Sequence, residues 1–165
     1  MSKCGFKTQI MNYWLMKSEP TCFSIDDLAK CSNKTHYWDG VRNYQARNMM
    51  RDDMKKGDLA FFYHSSCNPP GIAGIVQIAK TAYPDHTAWD PNSDHYDPQS
   101  TPDKPRWYMV DIKLIRKFKQ LVTIEDLRSH PLLEEMIILR KGNRLSITPI
   151  TEQQWHVIQQ LADEL

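Results

Sequence analysis

The chain has 165 residues, 41% of them hydrophobic, enough for one buried core, and its formal net charge of +1 excludes the large basic excess of a general polyanion binder. Four cysteines, at positions 4, 22, 31 and 67, form no CxxC pair and no zinc-finger spacing with histidine, so neither a disulfide framework nor a structural metal is expected. With no apolar run of signal-peptide or membrane-span length, the expectation is an intracellular protein, cytoplasmic in a bacterium or nuclear in a eukaryote, with no membrane partner.

Residues 1–12 lack hydrophobic periodicity and read as a flexible leader, with a single domain over 13–165. Tyr13 to Lys17 form a short apolar run that predicts a buried strand, which Pro20 stops because it has no amide donor. Ser24 and Asp27 have capping-box spacing for a short helix whose Ile25 and Leu28 face inward. Asp39-Gly40 marks a turn, and Asn43 suits the cap of a helix reaching about Asp53. The run LAFFYHS and the stretch from Gly71 to about Tyr83 predict two strands that pair as neighbours.

From Pro84 to Pro105 prolines, aspartates and polar residues predict a long loop. Within it Asp90, Asn92 and Asp94 imitate the start of a calcium loop, but His95 stands at the glycine position and Thr101 at the bidentate glutamate, so no metal is assigned. A strand is predicted over 106–118, with Tyr108, Val110, Ile112 and Leu114 on one face. Thr123 and Asp126 start another helix, a second apolar segment runs from Pro131 to Leu139, and Leu145 to Ile150 are extended. Thr151 and Gln154 cap a last helix to about Leu161, with Trp155, Ile158 and Leu161 inward. Short strands interspersed with short helices predict an α+β domain with a curved or barrel-like mixed sheet.

Two segments carry chemistry. WLMKSEP at 14–20 and YWDGVRNYQARN at 37–48 interrupt aromatic residues with closely set polar groups. Trp14, Tyr37 and Trp38 offer flat faces, and Lys17, Ser18, Glu19, Arg42 and Asn43 offer donors and acceptors suited to the edge of a planar heterocycle. On position alone, Trp14 also reads as core and Asn43 as a cap. Basic stretches around Arg47 and Arg51 and around Lys113 and Lys117 are candidate phosphate contacts. His64 stands beside no serine, cysteine or metal motif, and Cys67 has no activating partner, so no catalytic residue is assigned.

These motifs, with FFYHS at 61–65, PGIAGI at 70–75, AYPD at 82–85, YDP at 96–98, PRWYMVDI at 105–112 and RLSITPI at 144–150, resemble the EVE-domain proteins close to the thymocyte nuclear protein family and its bacterial relatives. The resemblance implies a PUA-like mixed β-barrel flanked by short helices and a reader of modified DNA or RNA that holds a base such as a modified cytosine. It carries the base pocket onto Trp14, Lys17, Ser18, Glu19, Trp38, Val41, Arg42 and Asn43, with Tyr63, His64 and Ser65 as a further wall. Tyr96, Asp97 and Pro98 are then expected to close the mouth, and Ser146 and Thr148 to lie near the floor or the backbone track. No cofactor is expected, and the chain is expected to act as a monomer. The alternatives are a hydrolase of a modified nucleobase or nucleoside, using His64 with Glu19, and a protein-interaction module built on the 84–105 loop.

Overall fold

Alternation of apolar side chains decides both faces of the sheet. The structure, a computed structural model, describes residues 11–165, so residues 1–10 of the expected leader lie outside the described residues. Strand β1 (Tyr13–Ser18) is followed by β2 (Thr35–Trp38), β3 (Leu59–His64), β4 (Gly71–Pro84), β5 (Tyr108–Thr123) and β6 (Ile147–Ile150). Their spatial order is β2-β5-β4-β3-β1-β6, with β1 parallel to β3 and the other pairs antiparallel. This is a mixed sheet of the expected α+β class. Among the described residues its ladders end at β2 on one side and β6 on the other, without hydrogen-bonded closure between them.

Trp14 and Met16 of β1, Ala60 and Phe62 of β3, and Val110 and Ile112 of β5 share one face with Trp38 and Ile147. Helix α1 (Ile25–Lys30) and helix α2 (Tyr44–Asn48) cover that face through Ile25, Leu28 and Ala46. On the other face Leu15, Phe61, Tyr63, Ile72, Phe118 and Val122 pack against Leu127 of α3 (Ile124–Arg128) and Trp155 and Ile158 of α4 (Glu152–Glu164). Val110 and Ile112 are core on the expected face, with Tyr108 and Leu114 packed against it, but Trp107 and Met109 of the opposite set are buried as well.

The predicted caps form. Ser24 with Asp27, Thr123 with Asp126 and Thr151 with Gln154 each make the reciprocal capping box, and the Asn43 side chain accepts from the Ala46 amide. Beyond Asn48 the chain widens into a π-helical turn over Met49–Asp53, so the helix expected to reach Asp53 changes its winding halfway. The apolar segment after Pro131 winds as two short 3-10 turns, Pro131–Leu133 and Ile137–Leu139. Four register shifts bend the long β4/β5 ribbon. At Gly74 the strands approach so closely that a Cβ would run into the Arg116 carbonyl, and this close approach requires glycine.

Trp155 anchors α4 by stacking between Tyr13, 4.5 Å away, and Phe61, 4.0 Å away, with only 2% of its surface exposed. Trp155→Ala is expected to lower the unfolding free energy by about 3–5 kcal/mol, read as a shift in the urea midpoint at unchanged slope. A loss below about 1 kcal/mol would show that the stack does not anchor the helix.

Candidate functional site

Strand order puts β2 at one edge of the sheet and β1 with β6 at the other, yet the ends of all three border one cavity of about 700 Å³. Residues of the β2 edge and of the β1 end of the sheet thus share one cavity. One wall is Lys17, Ser18 and Glu19 at the end of β1, continued by Thr21, Cys22 and Phe23, with Ser146 just ahead of β6. The opposite wall is His36, Tyr37 and Trp38 of β2 and the turn Asp39-Gly40-Val41, and the loop after β4 adds Asp94 and His95.

The aromatic surface is layered. Phe23 stacks on His36 at 4.9 Å, and His36 lies 4.1 Å from Tyr37. All three are half-buried and able to meet a planar ligand. Trp38 is only 6% exposed and packs edge-on to Phe62, so it reaches the cavity as the margin of a core ring. The His36 Nδ1 lies 2.7 Å from the Tyr37 carbonyl, which can only accept, so a neutral imidazole keeps Nε2 as an acceptor. The Ser18 hydroxyl donates to the Phe23 carbonyl at 2.6 Å and holds that rim in place.

Among the described residues Lys17 forms no ion pair, and burial lowers the pKa of its ammonium from the ordinary value. Glu19, Asp39 and Asp94 likewise form no ion pair within that set. The cavity thus presents one cationic donor against several acceptors, a set that matches the edge of a base carrying an exocyclic amine and a carbonyl.

A buried carboxylate holds this wall. Asp85, whose side chain is fully buried, accepts from the Gly40 amide and from Arg42 Nη1, each at 2.9 Å, and from the Thr87 amide and hydroxyl at 2.9 and 2.6 Å. Arg42 in turn donates through Nε and Nη2 to the His95 carbonyl at 3.0 and 2.7 Å. Burial pushes the Asp85 pKa up, but the hydrogen bonds from Thr87, Gly40 and Arg42 outweigh it and hold the carboxyl below its ordinary value. Gly40 has φ +79°, and a Cβ there would stand 2.6 Å from the His95 ring.

Of the residues expected to form the pocket, Lys17, Ser18, Glu19, Trp38, Val41 and Ser146 border the cavity. Trp14 does not: its ring is core, its Nε1 donates to Asp58 at 3.1 Å, and it borders a separate hollow of about 620 Å³ at the other end of β1. Tyr63 lies on the opposite face of the sheet with Phe61, where burial first of all raises its hydroxyl pKa to about 12. Thr148 alternates to that face too, beside Ile150, and its hydroxyl is buried without a partner. His64 Nε2 accepts the Ile25 amide at 3.1 Å, and burial lowers the imidazole pKa, so this neutral ring serves α1 and does not assemble with Glu19.

Ser65 does not border the cavity, although its amide donates to the carbonyl of the cavity-lining Ser18, while Asn43 is engaged as a cap and Arg42 as the clasp. Tyr96, Asp97 and Pro98 lie just past the cavity-lining Asp94 and His95. Asp97 accepts the Trp107 indole N–H at 2.7 Å, and this bond, ahead of the Gln99 amide, holds its carboxyl pKa down. The sequence reading did not assign Thr21, Cys22, Phe23, His36, Asp39, Gly40, Asp94 or His95 to the pocket. Asp39 and Gly40 lie inside the 37–48 segment singled out for its chemistry, and Asp94 and His95 directly precede the Tyr96–Pro98 stretch expected to close the mouth.

The candidate phosphate contacts differ in availability. Arg51 is paired with Asp52 and Lys117 with Asp26. Arg47 donates to the Arg106 carbonyl and Asn48, and neither Arg47 nor Lys113 forms an ion pair among the described residues. In that same set no cluster of three or more His, Cys, Asp or Glu side chains is placed to hold a metal, and no helix is long and apolar enough to cross a membrane.

The mixed sheet with a cavity shared by its β1 end and β2 edge belongs to a known class: residues 12–161 match the EVE-domain family, and this chain is a member of it. Human thymocyte nuclear protein 1 is 43% identical over 94% of this chain and 76% of its own length. Its structure in complex with DNA containing 5-methylcytosine superposes with TM-score 0.87, covering 92% of this chain and 98% of that one. A crystal structure from Pseudomonas syringae, 50% identical, also has TM-score 0.87 and covers 91% and 99% of the two chains. The YTH domain of a Zygosaccharomyces rouxii protein, solved with N6-methyladenosine RNA, shares the fold at TM-score 0.52 and 12% identity, covering 93% of this chain and 88% of its own.

Because the folded-state pKa of Asp85 is depressed, its stabilisation is present above the ordinary value of 3.8 and is lost as pH falls from there through the folded-state value. Asp85→Asn is expected to lower the thermal midpoint at pH 7, with the gap to the parent chain narrowing below pH 3.8, as calorimetry across that range would show. A gap that stays constant with pH would mean that the charge on Asp85 does not hold the wall.

Proposed function

We propose that this protein is a reader that takes a modified base, with 5-methylcytosine in DNA as the favoured ligand, into the cavity shared by the β1 end and the β2 edge. The observation that carries the reading is the 700 Å³ cavity itself, walled by Phe23, His36 and Tyr37 and supplied with both donor and acceptor groups. Its size lies within the range of sites that enclose small planar ligands. The complex of the human relative with 5-methylcytosine DNA supports DNA as the partner. The shared fold of the RNA-bound YTH domain supports only the architecture. In this reading the sheet works as a PUA-like barrel whose unbonded seam is the ligand entrance, and the name of the human relative supports a nuclear setting for a eukaryotic chain of this kind.

A base that leaves its stack loses a few kcal/mol, and one aromatic contact returns roughly 1–3 kcal/mol. His36 and Tyr37 supply that face. Lys17 faces an acceptor edge, and Asp39, Glu19 or Asp94 accepts from an exocyclic amine. The ligand is bound and released without cofactor or turnover. Fluorescence anisotropy should show tighter binding to a duplex carrying one 5-methylcytosine than to its unmodified twin. Tyr37→Ala should weaken the methylated complex about tenfold, in line with the loss of one base–aromatic contact. Equal affinity for the two duplexes, or release of a modified base or nucleoside on incubation, would overturn the reader assignment.

A further inference from the structure

Beside the cavity the surface carries a second aromatic feature. Tyr44, at the start of α2, is 52% exposed and stacks on Trp107 with ring centroids 4.9 Å apart and planes 25° from parallel. Trp107 is buried and held by its indole bond to Asp97, so it is a rigid backing for the tyrosine. Arg47 stands 4.7 Å from the Tyr44 ring and 5.9 Å from the Trp107 ring. Arg47 lies over the Tyr44 ring, and the tyrosine nevertheless keeps 52% of its surface exposed.

The feature is joined to the cavity through Arg42. That guanidinium lies 5.5 Å from the Trp107 ring and also donates to the carbonyl of His95, a cavity residue. Arg47 forms no ion pair among the described residues; its guanidinium donates to Asn48 and to the Arg106 carbonyl, and, after the Arg51 hydrogen bond, its charge helps to lower the Asp52 pKa. An exposed aromatic ring with a rigid back and an arginine beside it matches a nucleotide, with the base on the ring and the phosphate at the cation.

We infer that Tyr44, backed by Trp107 and flanked by Arg47, is a second stacking site that receives the base adjacent to the one held in the cavity. This rests on the reader assignment and adds the partner's form: at least a dinucleotide step, with the neighbouring base able to leave its own stack. A free modified nucleoside then engages only the cavity, and an oligonucleotide engages both.

The test uses the full chain with single-stranded and duplex oligonucleotides carrying one 5-methylcytosine, 2-aminopurine being placed on its 5′ side in one set and its 3′ side in another. Tyr44→Ala is expected to weaken oligonucleotide binding about tenfold and to abolish the change in 2-aminopurine fluorescence at one of the two positions. Tyr44→Phe should retain both. The preference for methylated over unmodified DNA should persist in Tyr44→Ala and shrink in Tyr37→Ala. Unchanged affinity and fluorescence in Tyr44→Ala, alongside weakened binding in Tyr37→Ala, would overturn the second site and leave the cavity standing. A parent chain with no methylation preference would overturn both.

Discussion

The burial of Asp85 is the constraint on which the rest of the site depends. A carboxylate out of water must be matched by donors, and here the donors come from two segments far apart in sequence, the turn at Gly40 and Arg42 and the loop start at Thr87. Satisfying one side chain therefore fixes the position of the β2 turn against the long loop. Arg42 extends the link to the His95 carbonyl and brings His95 against Gly40, where only a missing Cβ leaves room. The far wall of the cavity is thus a by-product of solvating one buried charge.

The near wall has a different origin. Register shifts bend the long β4/β5 ribbon, and the β1 end and the β2 edge both line the cavity. Strand ends supply alternating polar and aromatic side chains, which is how Lys17, Ser18, His36 and Tyr37 come to share one space.

Charge is divided between the cavity and its surroundings. Inside, three carboxylates without ion pairs face one half-buried lysine, while outside arginines lie against Tyr44, Trp107 and Tyr108. A net charge of +1 is compatible with a nucleic-acid partner under this division.

Much of the local structure was legible in the sequence because it depends on neighbours in the chain. Three capping boxes, the Asn43 cap, the β1, β3 and β4 strands and the turn at Asp39-Gly40 all rest on spacings of a few residues. The cavity side of β1 and the Trp38–Val41 segment were legible too, through the motif resemblance. Period-two alternation within FFYHS already separates Tyr63 from Phe62 and His64, so the placement of Tyr63 on the other face was available from the sequence once β3 was aligned. The short β2 strand was not, since four residues carry no alternation to read. By itself the sequence determined most of the strands, the caps, the family and which segments bear aromatic and polar chemistry. Only the tertiary structure decided which side chains of those segments share a cavity, committing Trp14 to Asp58, His64 to the Ile25 amide and Arg42 to Asp85 while bringing in Phe23, His36 and His95. The reason is that hydrogen-bond partners 39 to 44 residues apart depend on the whole sheet and on no single stretch of chain.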